Sequence, residues 1–223
     1  VRNLDKLSDA VRLMTQKATV PSSNELCGVI CRAGLYSDGR EVYGAFNQYM
    51  GRKEDPGVWQ HPYELASFMH LCLRLGVESI VEVGSFFGFT SVLLSEFLFT
   101  YGSLKRYTTV DLHDRIGEAI EHKLFGKLQY LPNADSSHIR DEYDLCLIDG
   151  DHTYDAARTD YYRLVDRCKY AAFHDIRDHF CAVEDVTKKG GVPTLWKQLK
   201  KTRPAVEIIR TDSEPYMGIG VLL

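Results

Sequence analysis

The stretch Ile80-Val81-Glu82-Val83-Gly84-Ser85-Phe86-Phe87-Gly88-Phe89-Thr90 decides the fold. It opens on an apolar run of the kind a buried strand carries. Two glycines follow. Val92, Leu93, Leu94, Phe97 and Leu98 then fall at helical spacing and predict a helix over Thr90–Phe99. A strand that enters a helix through glycines lets the backbone approach a ligand closely and leaves N–H groups beside it. Glu82 adds a constraint, because a carboxylate in a buried strand needs a partner. A cationic or hydrogen-bond-donating ligand in the glycine turn would supply one.

The same alternation continues to the C-terminus. Candidate strands are Ser79–Val83, Arg106–Val110, Lys127–Leu131, Tyr143–Ile148, Tyr170–Phe173, Ala205–Arg210 and Met217–Leu222. Helical segments at Thr90–Phe99, Gly117–Phe125 and Thr153–Cys168 separate strands that must then run parallel. An irregular loop follows Phe173, and a helix near Pro193–Lys201 comes after it, with Pro193 suited to its first turn. The last two strands are joined by the short polar loop Thr211–Pro215 and read as a hairpin. The predicted fold class is α/β: a doubly wound, seven-stranded, mostly parallel sheet with an antiparallel last strand. Before it, His61–Leu75 reads as an amphipathic helix and Asp9–Thr15 as a short one. Pro21–Gly57 is rich in Gly, Ser and polar residues, so residues 1–58 are expected to form a cap or lid and 59–223 the ligand-binding domain.

A chain of 223 residues has room for one sizeable domain with a full core. Its net charge of −4 argues against a general nucleic-acid or membrane-surface binder. There is neither a bilayer-length apolar run nor a secretory leader at the polar start. Cys27, Cys31, Cys72, Cys146, Cys168 and Cys181 are scattered, which does not suit a disulfide framework and points to a reducing, cytoplasmic setting. The first residue is Val1 rather than Met, so the expectation is an excised or trimmed piece of a longer chain.

In open parallel sheets, ligands sit at the carboxyl ends of the strands. Here those ends carry Glu82 and Gly84, then Asp111, then Asp135, then Asp149, Asp151 and His152, then His174 and Asp175. The Gly-Ser-Phe-Phe-Gly turn is too bulky for a pyrophosphate, and Glu82 would repel one. A ligand with a ribose and an ammonium group but no phosphate fits better, and S-adenosylmethionine is such a ligand.

At these residues the chain resembles a known family. Glu82-x-Gly84-x-x-x-Gly88 is similar to motif I of the class I S-adenosylmethionine-dependent methyltransferases. Leu147-Ile148-Asp149-Gly150-Asp151-His152-Thr153-Tyr154, Phe173-His174-Asp175-Ile176 and Trp59-Gln60-His61-Pro62-Tyr63-Glu64-Leu65 resemble a subgroup of that family. The subgroup includes sugar O-methyltransferases of macrolide biosynthesis and cephalosporin-biosynthesis methyltransferase-like proteins. The resemblance implies that Glu82, Gly84, Ser85, Gly88 and Thr90 hold the methionine part of the cofactor. It places Asp111 on the ribose, Asp135 and Ser136 by the adenine, and Asp149 at the cofactor's edge. It also implies a divalent ion, Mg²⁺ or Mn²⁺, held by Asp149, His174 and Asp175. The family places an acidic pair after the fifth strand, and His174 stands where the first acid would be. Imidazole tolerates Mn²⁺, Fe²⁺ or Zn²⁺ better than Mg²⁺, so the identity of the metal stays open.

Methyl transfer needs an acceptor oxygen held in line with the sulfonium methyl and relieved of its proton. His152 is the expected base, with Asp151 as the alternative. Trp59, Gln60 and Tyr154 are the expected acceptor contacts. Asp135 has a second reading as a solvated turn aspartate. The expected function is metal-assisted O-methylation of a sugar hydroxyl, for example of a rhamnose-type residue, within a larger viral or bacterial glycan-assembly polypeptide. A catechol-type or antibiotic-precursor O-methyltransferase and a cofactor-binding module without turnover are the alternatives. The partner is a small molecule or glycan, with no nucleic acid and no membrane.

Overall fold

The computed structural model describes residues 4–33, 57–177, 179–210 and 217–223. Seven strands form one sheet: β1 (Ser79–Val83), β2 (Arg106–Asp111), β3 (Leu128–Pro132), β4 (Tyr143–Ile148), β5 (Cys168–Phe173), β6 (Ala205–Ile208) and β7 (Ile219–Leu222), in the order β3-β2-β1-β4-β5-β7-β6. The first five pair in parallel. β7 runs antiparallel to both β5 and β6, as the hairpin reading predicts. The connecting loop predicted at Thr211–Pro215 lies outside the described residues.

Side chains alternate across the sheet and build a core on each face. On one face Ile80, Tyr107, Leu145, Leu147 and Ala172 pack with α1 (Leu4–Thr15), α2 (Ser23–Arg32), α3 (Pro62–Arg74) and α4 (Phe89–Tyr101). On the other, Val81, Val83, Val110, Cys146, Ile148 and Phe173 pack with α5 (Tyr154–Leu164) and α7 (Gly191–Leu199). Among the described residues no helix is long and apolar enough to cross a membrane.

Two expectations are corrected, at Gly117–Phe125 and in the loop after Phe173. Within Pro21–Gly57, expected to belong to a cap or lid, α2 occupies Ser23–Arg32 and its apolar residues Leu26, Val29 and Ile30 enter the core. A capping box starts that helix: the Ser22 Oγ accepts from the Glu25 N–H, and the Glu25 carboxylate accepts from the Ser22 N–H. The remainder of that segment, residues 34–56, lies outside the described residues. Gly117–Phe125 is not an α-helix but a single 3₁₀ turn, Gly117–Glu121, followed by turns. Packing overrides the local pattern there, since Ile116 and Phe125 close over Gly88, where a Cβ would meet them at 2.9 and 2.8 Å. The loop after Phe173 holds a short helix, α6 (His179–Glu184).

Register positions the site. Val83 and Phe173 both lie level with Ile148. The ladder runs one residue further, with Asp149 N–H donating to Val83 O at 2.9 Å and His174 N–H to Ile148 O at 3.2 Å. Gly84, Asp149 and His174 therefore leave the sheet side by side. They do so where the strand order reverses between β1 and β4, the crevice in which open α/β sheets bind ligands.

Candidate active site

Gly84 is the tightest point. Its φ is +95°, and a Cβ there would lie 2.2 Å from the carbonyl oxygen of Asp149. Only glycine lets β1 pass that close to the end of β4. The turn beyond it is held by Asp111, whose carboxylate accepts from the Phe86 N–H and the His113 N–H, both at 2.8 Å. Each carboxylate oxygen keeps a lone pair, so Asp111 can still take ribose hydroxyls. Gly88, with φ +78°, starts α4, and Thr90 lies in that helix's first turn. The Ser85 hydroxyl is buried and has no hydrogen-bond partner among the described residues, a state that a ligand in the turn would relieve.

Glu82 is partnered from within the protein. Its side chain shares the face of Ile80, under α4, where one oxygen accepts from Ser91 Oγ at 2.5 Å and Thr109 Oγ1 at 2.7 Å. Burial pushes its pKa up to about 7, against the two hydroxyls that hold it down. The expectation that a ligand must supply its partner is corrected on this point.

Asp135 caps the 3₁₀ turn Ser136–His138, and its oxygens are taken by Ser137 and by Arg163 Nη1 at 2.9 Å. Those bonds hold its carboxyl well below the usual range. Ser136 donates to the buried Asp160 at 2.6 Å. The loop after β3 is thus fastened to α5 by Asp160 and Arg163, two residues the sequence analysis did not single out. Helical phase alone does not show that they face this loop.

Four side chains converge at the ends of β4 and β5. Asp149 Oδ1 lies 3.0 Å from His174 Nδ1 and 3.4 Å from His152 Nε2. Asp175 Oδ2 lies 3.1 Å from His152 Nδ1, and its Oδ1 lies 3.3 Å from His174 Nδ1. Gln60 donates its amide to Asp149 Oδ2 at 2.6 Å. Burial alone would raise the Asp149 pKa, but the flanking imidazoles outweigh it and hold the group at about 2. Burial would lower that of His174, but the Asp149 and Asp175 carboxylates hold it up at about 9. Asp175 sits at φ +59°, a left-handed conformation that a non-glycine residue rarely takes. The Ile176 and Arg177 N–H groups fasten it to Gly218 O and Met217 O. Gly218 is fixed in turn by Glu64, which accepts from the Arg210 and Gly218 N–H groups, each at 2.9 Å. Glu64 was quoted in the sequence but given no role. It shares the helical phase of Phe68, Leu71 and Cys72, and that phase is the signal of its burial.

Of the predicted site residues, Gly84, Asp149, His152, His174, Asp175 and Gln60 come together. Gln60 is buried behind Asp149 and supports it. Trp59 packs edge-on against Phe86, with ring centroids 5.7 Å apart. Tyr154 does not join them, because its hydroxyl donates to Gln198 of α7 at 2.7 Å. Asp151 is exposed and accepts from the Thr153 N–H of its own turn at 2.9 Å. The ligand atoms of Asp149, His152 and His174 lie within 4.8 Å of one another, a group that could hold a metal ion. It contains His152 in place of the predicted Asp175.

Residues 81–176 match a family model described as a methyltransferase domain, a span that runs from β1 through the Asp175 turn. No curated protein compared with this chain matches it. Solved structures do. An O-methyltransferase from Bacillus cereus, determined with S-adenosylhomocysteine, is 16% identical with a TM-score of 0.54, covering 97% of this chain and 96% of its own. TomG, an O-methyltransferase from Streptomyces achromogenes involved in tomaymycin synthesis and determined with S-adenosylmethionine, is 15% identical with a TM-score of 0.55, covering 92% of this chain and 99% of its own. A Podospora anserina methyltransferase bound to S-adenosylhomocysteine is 10% identical with a TM-score of 0.53, covering 92% and 98%. These likenesses establish the fold: a Rossmann-like methyltransferase sheet with its antiparallel last strand.

Proposed function

We propose that the chain is an S-adenosylmethionine-dependent O-methyltransferase, assisted by a divalent cation, whose acceptor is a sugar hydroxyl. The observation that carries this reading is the level exit of Gly84, Asp149 and His174 from three strands at the switch point. It sets a ligand cradle that excludes a Cβ directly beside a cluster of carboxylates and imidazoles. The matched methyltransferase span covers both halves of that arrangement.

Bound S-adenosylmethionine would supply an electrophilic methyl carbon, which the acceptor oxygen would take as the carbon–sulfur bond breaks, with the hydroxyl proton passing to His152 or Asp151 and S-adenosylhomocysteine as the by-product. The chain's own residues bind and orient. Gly84 opens the backbone to the methionine part, and the Ser85 hydroxyl stands ready to donate. Asp111 faces the ribose. The loop of Asp135 and Ser136, braced by Asp160 and Arg163, borders the adenine. Trp59, half-buried beside Phe86, offers a flat apolar wall to one face of a sugar ring. The oxygen and nitrogen donors of Asp149, His152 and His174 lie close enough together to fit a divalent cation. Such an ion would lower the acidity barrier of a hydroxyl that is itself a weak acid. The sugar class is supported by the segments Trp59–Leu65 and Leu147–Tyr154, which resemble those of sugar O-methyltransferases.

The test is turnover of labelled S-adenosylmethionine on a panel of rhamnosides and catechols, with and without chelator. Methylated rhamnoside, lost on chelation, is expected. Asp149→Ala should abolish turnover and leave cofactor affinity within about threefold, since Asp149 supports the acceptor side. Preference for the catechols would move the acceptor class, and binding without turnover on any acceptor would reduce the chain to a cofactor-binding module.

A further inference from the structure

The backbone that carries Asp175 is costly. Asp175 sits at φ +59°, and beside it Met217 at +53° and Gly218 at +87° are left-handed too. Side chains rarely take that region, and such residues persist where their surroundings over-determine them. Here two turns lock each other. The Ile176 N–H donates to Gly218 O at 3.2 Å, and the Arg177 N–H donates to Met217 O at 3.0 Å. The approach is close, since a Cβ on Gly218 would lie 3.0 Å from Ile176 Cγ1. Whatever fixes Gly218 thereby fixes the Asp175 turn.

Glu64 supplies that fixture. It lies in the first turn of α3 and is 1% exposed. Each of its oxygens accepts one backbone N–H at 2.9 Å, Oε1 from Arg210 and Oε2 from Gly218. Arg210 and Gly218 flank the connection from β6 to β7, so one carboxylate ties its two ends. As a source of stability this is a poor device. Burying a charge is costly, and apolar side chains of similar volume often serve as well. Two charge-assisted hydrogen bonds do give direction. No step of the proposed methyl transfer uses Glu64. Beyond the turn it fixes, Asp175 brings Oδ2 to 3.1 Å from His152 Nδ1 and Oδ1 to 3.3 Å from His174 Nδ1.

We infer that Glu64 is a positioning residue for methyl transfer: through Gly218 it holds Asp175, and through Asp175 it holds the imidazoles of His152 and His174 in place on the acceptor side. The route is short. It runs from the carboxylate to the Gly218 N–H, then from Gly218 O to the Ile176 N–H, one residue from Asp175. Both hydrogen bonds of Glu64 go to backbone rather than to the cluster. The cofactor cradle is built by other contacts, at Gly84 and Asp111, so loss of the clamp should spare cofactor binding. The effect on rate rests on the methyltransferase reading, whereas the clamp's hold on the two imidazoles does not.

The experiment compares Glu64→Gln and Glu64→Ala with the unmutated full chain. An amide turns its own N–H groups toward one of the two donors, so Glu64→Gln keeps one bond and Glu64→Ala keeps neither. Turnover of labelled S-adenosylmethionine on the rhamnoside and catechol panel should lose about tenfold in kcat in Glu64→Gln and about a hundredfold in Glu64→Ala. The KM for S-adenosylmethionine and the calorimetric affinity for S-adenosylhomocysteine should stay within about threefold. The imidazole NMR signals of His152 and His174 should shift in both variants. A merely structural role would lower kcat and cofactor affinity together, in step with the melting temperature, and that result would overturn the assignment. So would an unchanged kcat in Glu64→Ala. Should Glu64→Ala fail to fold, Glu64→Gln decides on the same readouts. Should the unmutated chain methylate nothing on the panel, the methyltransferase proposal fails and the imidazole signals judge the clamp alone. Signals unmoved in Glu64→Gln would overturn it.

Discussion

Gly84 is where one atom decides the architecture. A methyl group there would sit 2.2 Å from a backbone carbonyl, at a φ that side chains avoid. Gly84→Ala is expected to destabilise the fold by about 3 kcal/mol or more, from strain and overpacking together. A melting temperature equal to the parent's would contradict the close approach of β1 to β4. Glu82 carries a pH signature. Its pKa rises from 4.5 to about 7 on burial, so the folded chain holds a proton that the unfolded chain releases. That contribution is full below pH 4.5, falls as pH rises, and is gone above about 7, a span worth roughly 3 kcal/mol. Denaturant titrations across that range should show the fall, and Glu82→Gln should flatten it. An unchanged slope in the variant would assign the effect to another group. The sequence shows both positions but not their surroundings. The glycine spacing announces a close approach, whereas the hydroxyls that face Glu82 come from α4 and β2, nine and 27 positions away along the chain.

At the scale of elements, five parallel strands deliver the site, and two helices brace it from outside. α5 holds the loop after β3 through Arg163, with bonds of 2.9 Å to Asp135 and 3.2 Å to Ser136. The pair with Asp135 is half-exposed, so its worth is modest. Arg163→Ala should weaken S-adenosylhomocysteine binding roughly two- to fivefold, measured by calorimetry, with little change in metal affinity. Equal loss of both would indicate general loosening instead. Strands were legible to within two residues at most ends, because apolar runs bounded by turn residues are a local signal. The Gly117–Phe125 pattern misled because tertiary contact with Gly88 governs that stretch. α2 was announced by Ser22 and Glu25, a capping signal hidden in a segment whose composition reads as loop. Tyr154 was placed at the site by its neighbours in sequence, but the start of α5 turns it toward Gln198.

Across the whole molecule, a sheet with a core on each face leaves one edge, the carboxyl ends of β1, β4 and β5, for chemistry. Order along the chain could name the acids at those ends. It could not say which converge, which face solvent and which fasten loops, since those depend on register between strands far apart in sequence. The level alignment of Val83, Ile148 and Phe173 brings Gly84, Asp149 and His174 out of the sheet side by side. The account therefore stands on an adenosyl ligand lying across those ends. Equilibrium dialysis of the purified chain against radiolabelled S-adenosylmethionine tests it most directly. Saturable retention of one molecule per chain, displaced by S-adenosylhomocysteine, is the predicted result. Equal label on both sides of the membrane at every concentration would contradict it.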